Sequence, residues 1–487
     1  MSELRHKTIH ALSWSLLELI GVQGMRFVIG IILARILFPE QFGLIAMLMI
    51  FMDVSKSILD SGFGAALVQK RNVTQTDICS IFYFNIIAGL TMTSLLCLVA
   101  PWIAEFYNQP ILMRLTQAMS LTILINSFGL IQNTILTKQI NFKTQTKVTL
   151  IASIISGIIG ITMAVSGFGV WSLAVQQISS TFFRTAFLWF YNDWRPALIF
   201  SVKSLREMFG FGSRLLFSGL LNQIFDNIYL LVIGKLFSAA DLGFFTRAKT
   251  LQDVPSQLLS GMVGRVMFPV FSTIQDDPVR LKRGTKQALT TLVLVNFPMM
   301  IGLAVVARPL VLVLLTEKWT ECIPYLQLLC LGGLLYPLFV INLNLLLALG
   351  RSNLFFNLEI IKKILIVINI VVTWRWGISA MIYGMIAISI ISYYLNSYYT
   401  GVLIDYSIWE QLRDLFSYLF MAMLMGIAVY AIGLLPFSNY WSLLLVQILT
   451  GFVIYVCLCW LFRLTAFIEL WQAVSNRMPF VKSGTAL

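Results

Sequence analysis

The sequence predicts an all-α integral membrane protein with about 14 transmembrane helices. Three observations predict it. Of the 487 residues, 59% are hydrophobic and only 11% charged, whereas a soluble domain carries roughly 45–50% apolar and about 25% charged residues. Apolar runs of spanning length, about 20 residues each, recur along the whole chain. The longest polar connection, from Asn192 to Glu207, is too short to hold a domain. A soluble enzyme is thereby excluded. Lys and Arg outnumber Asp and Glu by 34 to 21, a net charge of +13, but in a membrane chain such an excess reports topology before it suggests nucleic acid.

The expected spans run, in order, over Leu12 to Leu37, Phe42 to Val68, Ile78 to Ala100, Leu112 to Thr137, Val148 to Val165, Val170 to Tyr191 and Met208 to Phe237. Seven more follow over Leu242 to Phe271, Ala288 to Leu315, Tyr325 to Leu349, Leu358 to Trp374, Ile378 to Ile404, Leu415 to Leu434 and Trp441 to Phe462. The first has basic Arg5 and Lys7 before it, as a signal peptide would, but it is too long and lacks a small-residue cleavage site, so it is read as an uncleaved span. Turn chemistry separates the others: Phe38-Pro39-Glu40, Asn108-Gln109-Pro110, Gly167-Phe168-Gly169, Asp276-Asp277-Pro278 and Pro436-Phe437-Ser438-Asn439. With these spans, twenty-one basic residues fall at loops and helix ends on one side, among them Lys70, Arg71, Lys138, Arg280, Arg283 and Arg413, and six on the other. The positive-inside rule places the rich side, with both termini, in the cytoplasm.

Six cysteines lie mostly within spans and the two histidines, His6 and His10, are both N-terminal, so neither a disulfide framework nor a His-based metal or catalytic site is expected. No cofactor is expected either. Displacing the sequence by 200 residues sets Gln23 on Gln223, Arg35 on Lys235, Gly43 on Gly243, Asp53 on Asp253 and Gly64 on Gly264. These identities alone barely exceed background; the matching order, polarity and loop side of the helices raise them above it. Six helices per repeat is an even number, so the repeats point the same way about an axis along the membrane normal. The expected architecture is two pseudo-symmetric six-helix lobes around a central cavity, residues 1–200 and 201–405, followed by a helix pair and tail over 406–487.

Several segments resemble a known family. Leu37-Phe38-Pro39-Glu40-Gln41-Phe42-Gly43, Asp60-Ser61-Gly62-Phe63-Gly64, Arg265-Val266-Met267-Phe268-Pro269-Val270-Phe271 and Glu317-Lys318-Trp319 with Ile323-Pro324 resemble the Wzx-type flippases of the polysaccharide transporter family. That family lies in the multidrug/oligosaccharidyl-lipid/polysaccharide exporter superfamily, and the similarity is greatest to its colanic-acid-exporter branch. The resemblance implies a bacterial inner-membrane carrier, not an enzyme. Its cargo would be an undecaprenyl-diphosphate-linked oligosaccharide, moved between leaflets by alternating access. Its partners would be that lipid-linked glycan, membrane lipids, and a polysaccharide polymerase with chain-length and export machinery, with no nucleic acid among them.

Such a cargo needs a polar, partly basic path. Seven basic residues lie within the expected spans: Arg26, Lys56, Arg184, Arg214, Arg247, Lys249 and Arg265. A charge at the bilayer centre costs roughly 2.5–3.5 kcal/mol on insertion scales and therefore faces a partner or a wet cavity. Arg184 is near enough to a span end to snorkel. Arg26 lies near mid-membrane, and its repeat equivalent is Asp226; the two are read either as a pair that cargo diphosphate competes with or as a static structural pair. Asp53, Lys56 and Asp60 share one helix face, where self-pairing is the favoured reading. Arg247 and Lys249 are candidates for anion contact, Asp253 lies one turn beyond Lys249, and Pro255 is expected to kink the helix. Arg265 is either a first phosphate contact or a snorkelling residue. The embedded acids Glu18, Asp53, Asp60, Asp226 and Asp253 are candidates for gating or ion coupling.

Two rival functions remain at this level. A drug or cation antiporter of the same superfamily would have an acidic cavity and commonly twelve spans. A membrane glycosyltransferase or polymerase would carry a large external loop with catalytic side chains, and the external loops here are short.

Overall fold

A computed structural model describes residues 21–60 and 62–475, without the side chains of 211–215, 217–218, 257–258, 260–266, 268–269 and 473–475. Glu18, Arg214 and Arg265, named above as candidates, lie outside the described residues or side chains. Among the described residues every regular element is helical. The first helix, α1, covers 21–36 of the described chain. It is followed by α2 (Pro39–Asp60), α3 (Phe63–Gln69), α4 (Gln75–Tyr107), α5 (Ile111–Lys138), α6 (Phe142–Val165), α7 (Val170–Tyr191), α8 (Val202–Leu236) and α9 (Ala239–Thr273). Then come α10 (Pro278–Val305), α11 (Ala307–Leu314), α12 (Cys322–Gly333), α13 (Tyr336–Ala348), α14 (Ser352–Thr373), α15 (Ile378–Ile404), α16 (Ile408–Gly433), α17 (Tyr440–Leu461) and α18 (Thr465–Ser475).

Each expected span from the second to the fourteenth falls on a helix or a pair of consecutive helices. Among the described residues, nine such segments are long and apolar enough to cross a membrane. The remainder, α7, α8, α9 and α14, carry the polar and charged side chains that lower their hydropathy, and α1 is described over only part of its length. The chain is a multi-pass membrane protein. Three spans expected as single helices are divided. Gly62, at φ 70°, closes α2 off from α3 in a left-handed conformation that only glycine adopts at no steric cost. Breaks at Val306 and at Leu334–Leu335 likewise separate α10 from α11 and α12 from α13. Pro255 does not end α9, which continues to Thr273.

Helix ends are set by local chemistry. Thr74 and Asp77 form a capping box at the start of α4, reciprocally satisfying backbone donors that the first turn leaves unpaired. Asp277 caps α10 with Pro278 at its first position, where the missing N–H costs nothing. Ser201, Ser407 and Asn439 accept from backbone N–H groups at the starts of α8, α16 and α17.

The chain forms two compact units, Met1–Thr246 and Arg247–Leu487. In the first, α4 packs on α5, α6 on α7, α5 on α7, and α2 on α8. An aromatic and aliphatic core of Phe63, Leu67, Ile81, Phe82, Ile131 and Met208 joins α3, α4, α5 and α8. Because α8 lies along α2 and α4, the first unit extends beyond residue 200, where the sequence repeat begins again. In the second unit α10 packs on α16, α12, α13 and α18, α16 on α17, and α14 and α13 on α15. The terminal pair α16–α17 thus shares the core of this unit, through Tyr418, Met421, Met425, Val429 and Tyr455. The short α18 is an addition to the expected helices; Phe467 stacks on Trp471 at 6.3 Å and Glu469 accepts from Gln287 at 2.8 Å.

Candidate functional site

In the first unit, α1 turns one face to α6: Leu150 lies near Gly21, and Ile29 approaches Gly157 so closely that a Cβ there would sit 2.4 Å from Ile29 Cδ1. Val22, Ile29, Leu33 and Leu37 are buried on that face. At ~100° per residue, Arg26 falls about 20° from Leu33 and about 40° from Val22, within the same face. It is nonetheless exposed. An intramembrane charge requires a partner or a wet cavity, and Arg26 is exposed on a face whose other members are buried.

The repeat-related helix shows the same arrangement. On α8, Tyr229, Leu230 and Ile233 are buried, and Asp226 falls about 20° from Ile233 and about 40° from Leu230. Asp226, like Asn222 a turn earlier, is exposed. Arg26 and Asp226 each stand ten residues before the end of their helix, ~15 Å of rise. Asp226 takes part in an interaction of its own. Both side chains are presented at one register, and the guanidinium is available to an anion in this conformation.

On α2 the expected self-pairing is present. Lys56 Nζ lies 3.1 Å from Asp53 Oδ1, with side chains 39% and 32% exposed. Asp60, on the same side of the helix, is exposed. The end of α3 is pinned separately: Lys70 bonds Asp77 at 2.9 Å and lies 3.7 Å from Glu207. The hydrogen bond to Asp77 raises the Lys70 pKa above the ordinary lysine value, so this residue stays charged at neutral pH. Lys138 donates to the Leu67 carbonyl at 3.0 Å and to that of Lys70, closing the C-terminal end of α3 with a cation.

In the second unit, Arg247 is only 8% exposed. Its guanidinium sits 5.5 Å from the centre of the Trp319 ring, and Trp319 is itself fully buried. The 3₁₀ turn Glu317–Trp319 therefore folds in as a lid over this arginine. Lys249 and Asp253, half-buried one turn apart on α9, interact through their charges. Arg184, in the first unit, is held by Asn133 at 3.0 Å.

Two polar features of the second unit escaped the sequence reading. Lys362 pairs with Glu359 at 2.8 Å, with side chains 11% and 29% exposed, and lies over the Phe339 ring at 5.5 Å. Their i, i+3 spacing is legible in the sequence, but spacing alone does not show that the pair is buried against an aromatic ring. The other is a buried network in which Gln411 Oε1 accepts from Ser397 at 3.1 Å and Tyr393 at 3.3 Å, while Asn342 Oδ1 accepts from Thr400 at 3.0 Å. Neutral polar residues four apart, such as Asn396 and Thr400, were the available signal. Among the described residues no cluster of His, Cys, Asp and Glu could hold a metal ion.

Comparison with known proteins decides the family. The family described as polysaccharide biosynthesis protein matches residues 32–324, more than half of the chain. The chain belongs to this family. It is 27% identical over 401 residues to the lipopolysaccharide biosynthesis protein WzxC of Escherichia coli (strain K12), covering 81% of this chain and 80% of that protein. It is 29% identical over 325 residues to the succinoglycan biosynthesis transport protein ExoT of Rhizobium meliloti (strain 1021), covering 66% of each. Among solved structures, the lipid II flippase MurJ in an inward closed conformation shares the fold, with a TM-score of 0.75 and 15% identity over 93% of this chain and 98% of that one. An inward-facing multidrug resistance MATE family transporter of the MOP superfamily follows with a TM-score of 0.61 and 14% identity, over 79% and 96%. The expected all-α membrane fold is therefore established for this chain.

Proposed function

We propose that this family member is a flippase: it carries undecaprenyl-diphosphate-linked oligosaccharide repeat units across the bacterial inner membrane by alternating access, with both termini in the cytoplasm. It is a carrier and not an enzyme. The observation that carries this reading is Arg26, exposed on the otherwise buried face of α1, in a family whose similar members are named for lipopolysaccharide biosynthesis and succinoglycan transport. A guanidinium can hold a diphosphate through two parallel N–H donors, which the compact ammonium of lysine does not offer in that form. Asp226, at the same register, sets a competing charge that favours release. Lys56 and Lys249, with the candidates Arg214 and Arg265, supply further positive potential, whereas Arg247, sealed under Trp319, is scaffold. Asp53, Asp60, Asp253 and Glu18 are the groups through which ion coupling would act. The two six-helix repeats, residues 1–200 and 201–405, are the rocking elements of the cycle and residues 406–487 their appendage.

A carrier with equal affinity for cargo in both states shifts nothing, so a downstream step must withdraw it. A polymerase working on the delivered repeat unit, with its chain-length and export machinery, would be that partner. The reading is tested by deleting the gene and assaying which leaflet holds the lipid-linked repeat unit. Accumulation on the cytoplasmic leaflet, reversed by the intact gene and not by Arg26→Ala, is expected. Normal delivery in the deletion would favour the drug or cation antiporter reading.

A further inference from the structure

The starts of α2 and α9 touch in a reciprocal way. A Cβ on Gly43 would lie 1.7 Å from the carbonyl oxygen of Ala239 and 3.1 Å from its Cα. A Cβ on Gly243 would lie 2.0 Å from the carbonyl oxygen of Pro39 and 3.2 Å from its Cα. Both atoms met are backbone, which cannot rotate aside. Gly43 is the fifth residue of α2 and Gly243 the fifth of α9, and Pro39 and Ala239 open those helices. The two contacts therefore map onto each other under the 200-residue repeat: residue i meets j′ while i′ meets j. Such reciprocity is the signature of a local two-fold, so the crossing straddles the axis that relates the repeats.

All four residues belong to the first compact unit, although Pro39 and Ala239 come from different repeats. The hairpin end of α8 is fastened there too: Lys235 donates to the Phe106 carbonyl and its ammonium lies 4.7 Å from the Phe106 ring centre. Gly234 backs onto Met47 and Tyr107. Deeper along α1 and α8, the helices that lead into α2 and α9, are the exposed Arg26, Asn222 and Asp226.

In a carrier built from two parallel repeats, the path for cargo follows the repeat axis. A backbone-to-backbone contact on that axis, in the first turn beyond the α1–α2 and α8–α9 turns, closes one end of it. We propose that the Gly43–Gly243 crossing is the external gate of this transporter, a symmetric clasp that shuts only because both positions lack a side chain and that parts when cargo leaves. This rests on the flippase reading for what passes through, but not for the existence of the gate. A methyl group at either glycine needs the two backbones to separate by more than an ångström. The closed state alone bears that strain, so the population shifts toward the state open to the outside. The repeat makes a sharper demand: the two alanine variants act alike.

The test reads access independently of cargo. Asn222→Cys, ~21 Å before the end of α8 by helix rise, is labelled with a membrane-impermeant maleimide added from the periplasmic side, against the parent chain as background. Gly43→Ala and Gly243→Ala are each expected to raise that labelling about threefold or more, to a similar extent. A second arm keeps both glycines: Glu40→Cys with Ala240→Cys, joined by a short cleavable thiol crosslinker. Joining is expected to abolish both the labelling of residue 222 and the transfer of lipid-linked glycan, and cleavage to restore both. Labelling unchanged by the crosslink overturns the gate, as does an effect of one alanine variant without the other. Labelling blocked while glycan transfer continues supports the gate and removes the cargo assignment. If the alanine variants do not accumulate, the crosslinked pair carries the test unaided.

Discussion

Two arginines, both within expected spans, have opposite surroundings. Arg26 on α1 lies on a face that buries Val22, Ile29 and Leu33, and is itself exposed. Arg247 on α9 is 8% exposed and covered by the fully buried Trp319. An intramembrane cation thus has two stable solutions. One is to be sealed by protein that replaces its hydration with a π-face and packing. The other is to face a wet space and remain open to an exchangeable anion. Sequence places both residues within expected spans and cannot separate their surroundings, because the lid over Arg247 comes from Trp319, seventy-two residues further along the chain.

If the sealed arginine is scaffold, the largest effect belongs to its lid. Trp319→Ala should lower stability by about 3–5 kcal/mol, as large-to-small core changes do. Detergent-solubilised protein would show this as a lowered Tm and reduced accumulation, while transport per folded molecule stays near the parent value. Loss of transport with unchanged Tm would move Arg247 from scaffold to cargo contact. Next in size is the exposed arginine. Arg26→Ala should reduce glycan transfer about a hundredfold, equivalent to ~2.7 kcal/mol, with normal accumulation. Arg26→Lys should recover part of it, because the charge is kept and the paired donors are lost.

A smaller effect is expected where polarity is buried without function. Gln411→Ala leaves Ser397, Tyr393 and Asn342 without their shared partner, and should cost about 1–3 kcal/mol in unfolding measurements with little change in transfer by folded molecules. The smallest effect is the ion pair on α2. Since both members are about one-third exposed, a double-mutant cycle of Asp53→Asn and Lys56→Gln should give a coupling below about 1 kcal/mol. A coupling several times larger in transport than in stability would show that the pair works in the cycle.

The helices were largely legible because apolar length and turn chemistry are local: Asp277-Pro278 and Thr74 with Asp77 mark their helix starts in the sequence itself. The divisions at Gly62, Val306 and Leu334 were not, since an apolar run reads the same whether or not one residue leaves the helical region. The repeat was visible at Gly43 and Gly243, but the meaning of those glycines was not, because each is required by a backbone 200 positions away. Of the site, the Asp53–Lys56 pair followed from helix spacing alone. The sealing of Arg247 and the openness of Arg26 depend on which neighbours arrive, and that information is tertiary.

The role of Arg26 is read most plainly with the protein reconstituted in vesicles holding an undecaprenyl-diphosphate-linked oligosaccharide, where an impermeant glycosidase follows the glycan's exposure on the opposite leaflet. The parent protein should expose it, Trp319→Ala should do so in proportion to the folded protein present, and Arg26→Ala should leave it inaccessible. Exposure at the parent rate by Arg26→Ala, or none by the parent protein itself, would contradict the assignment of Arg26 as the residue that reads the diphosphate of a flipped lipid-linked glycan.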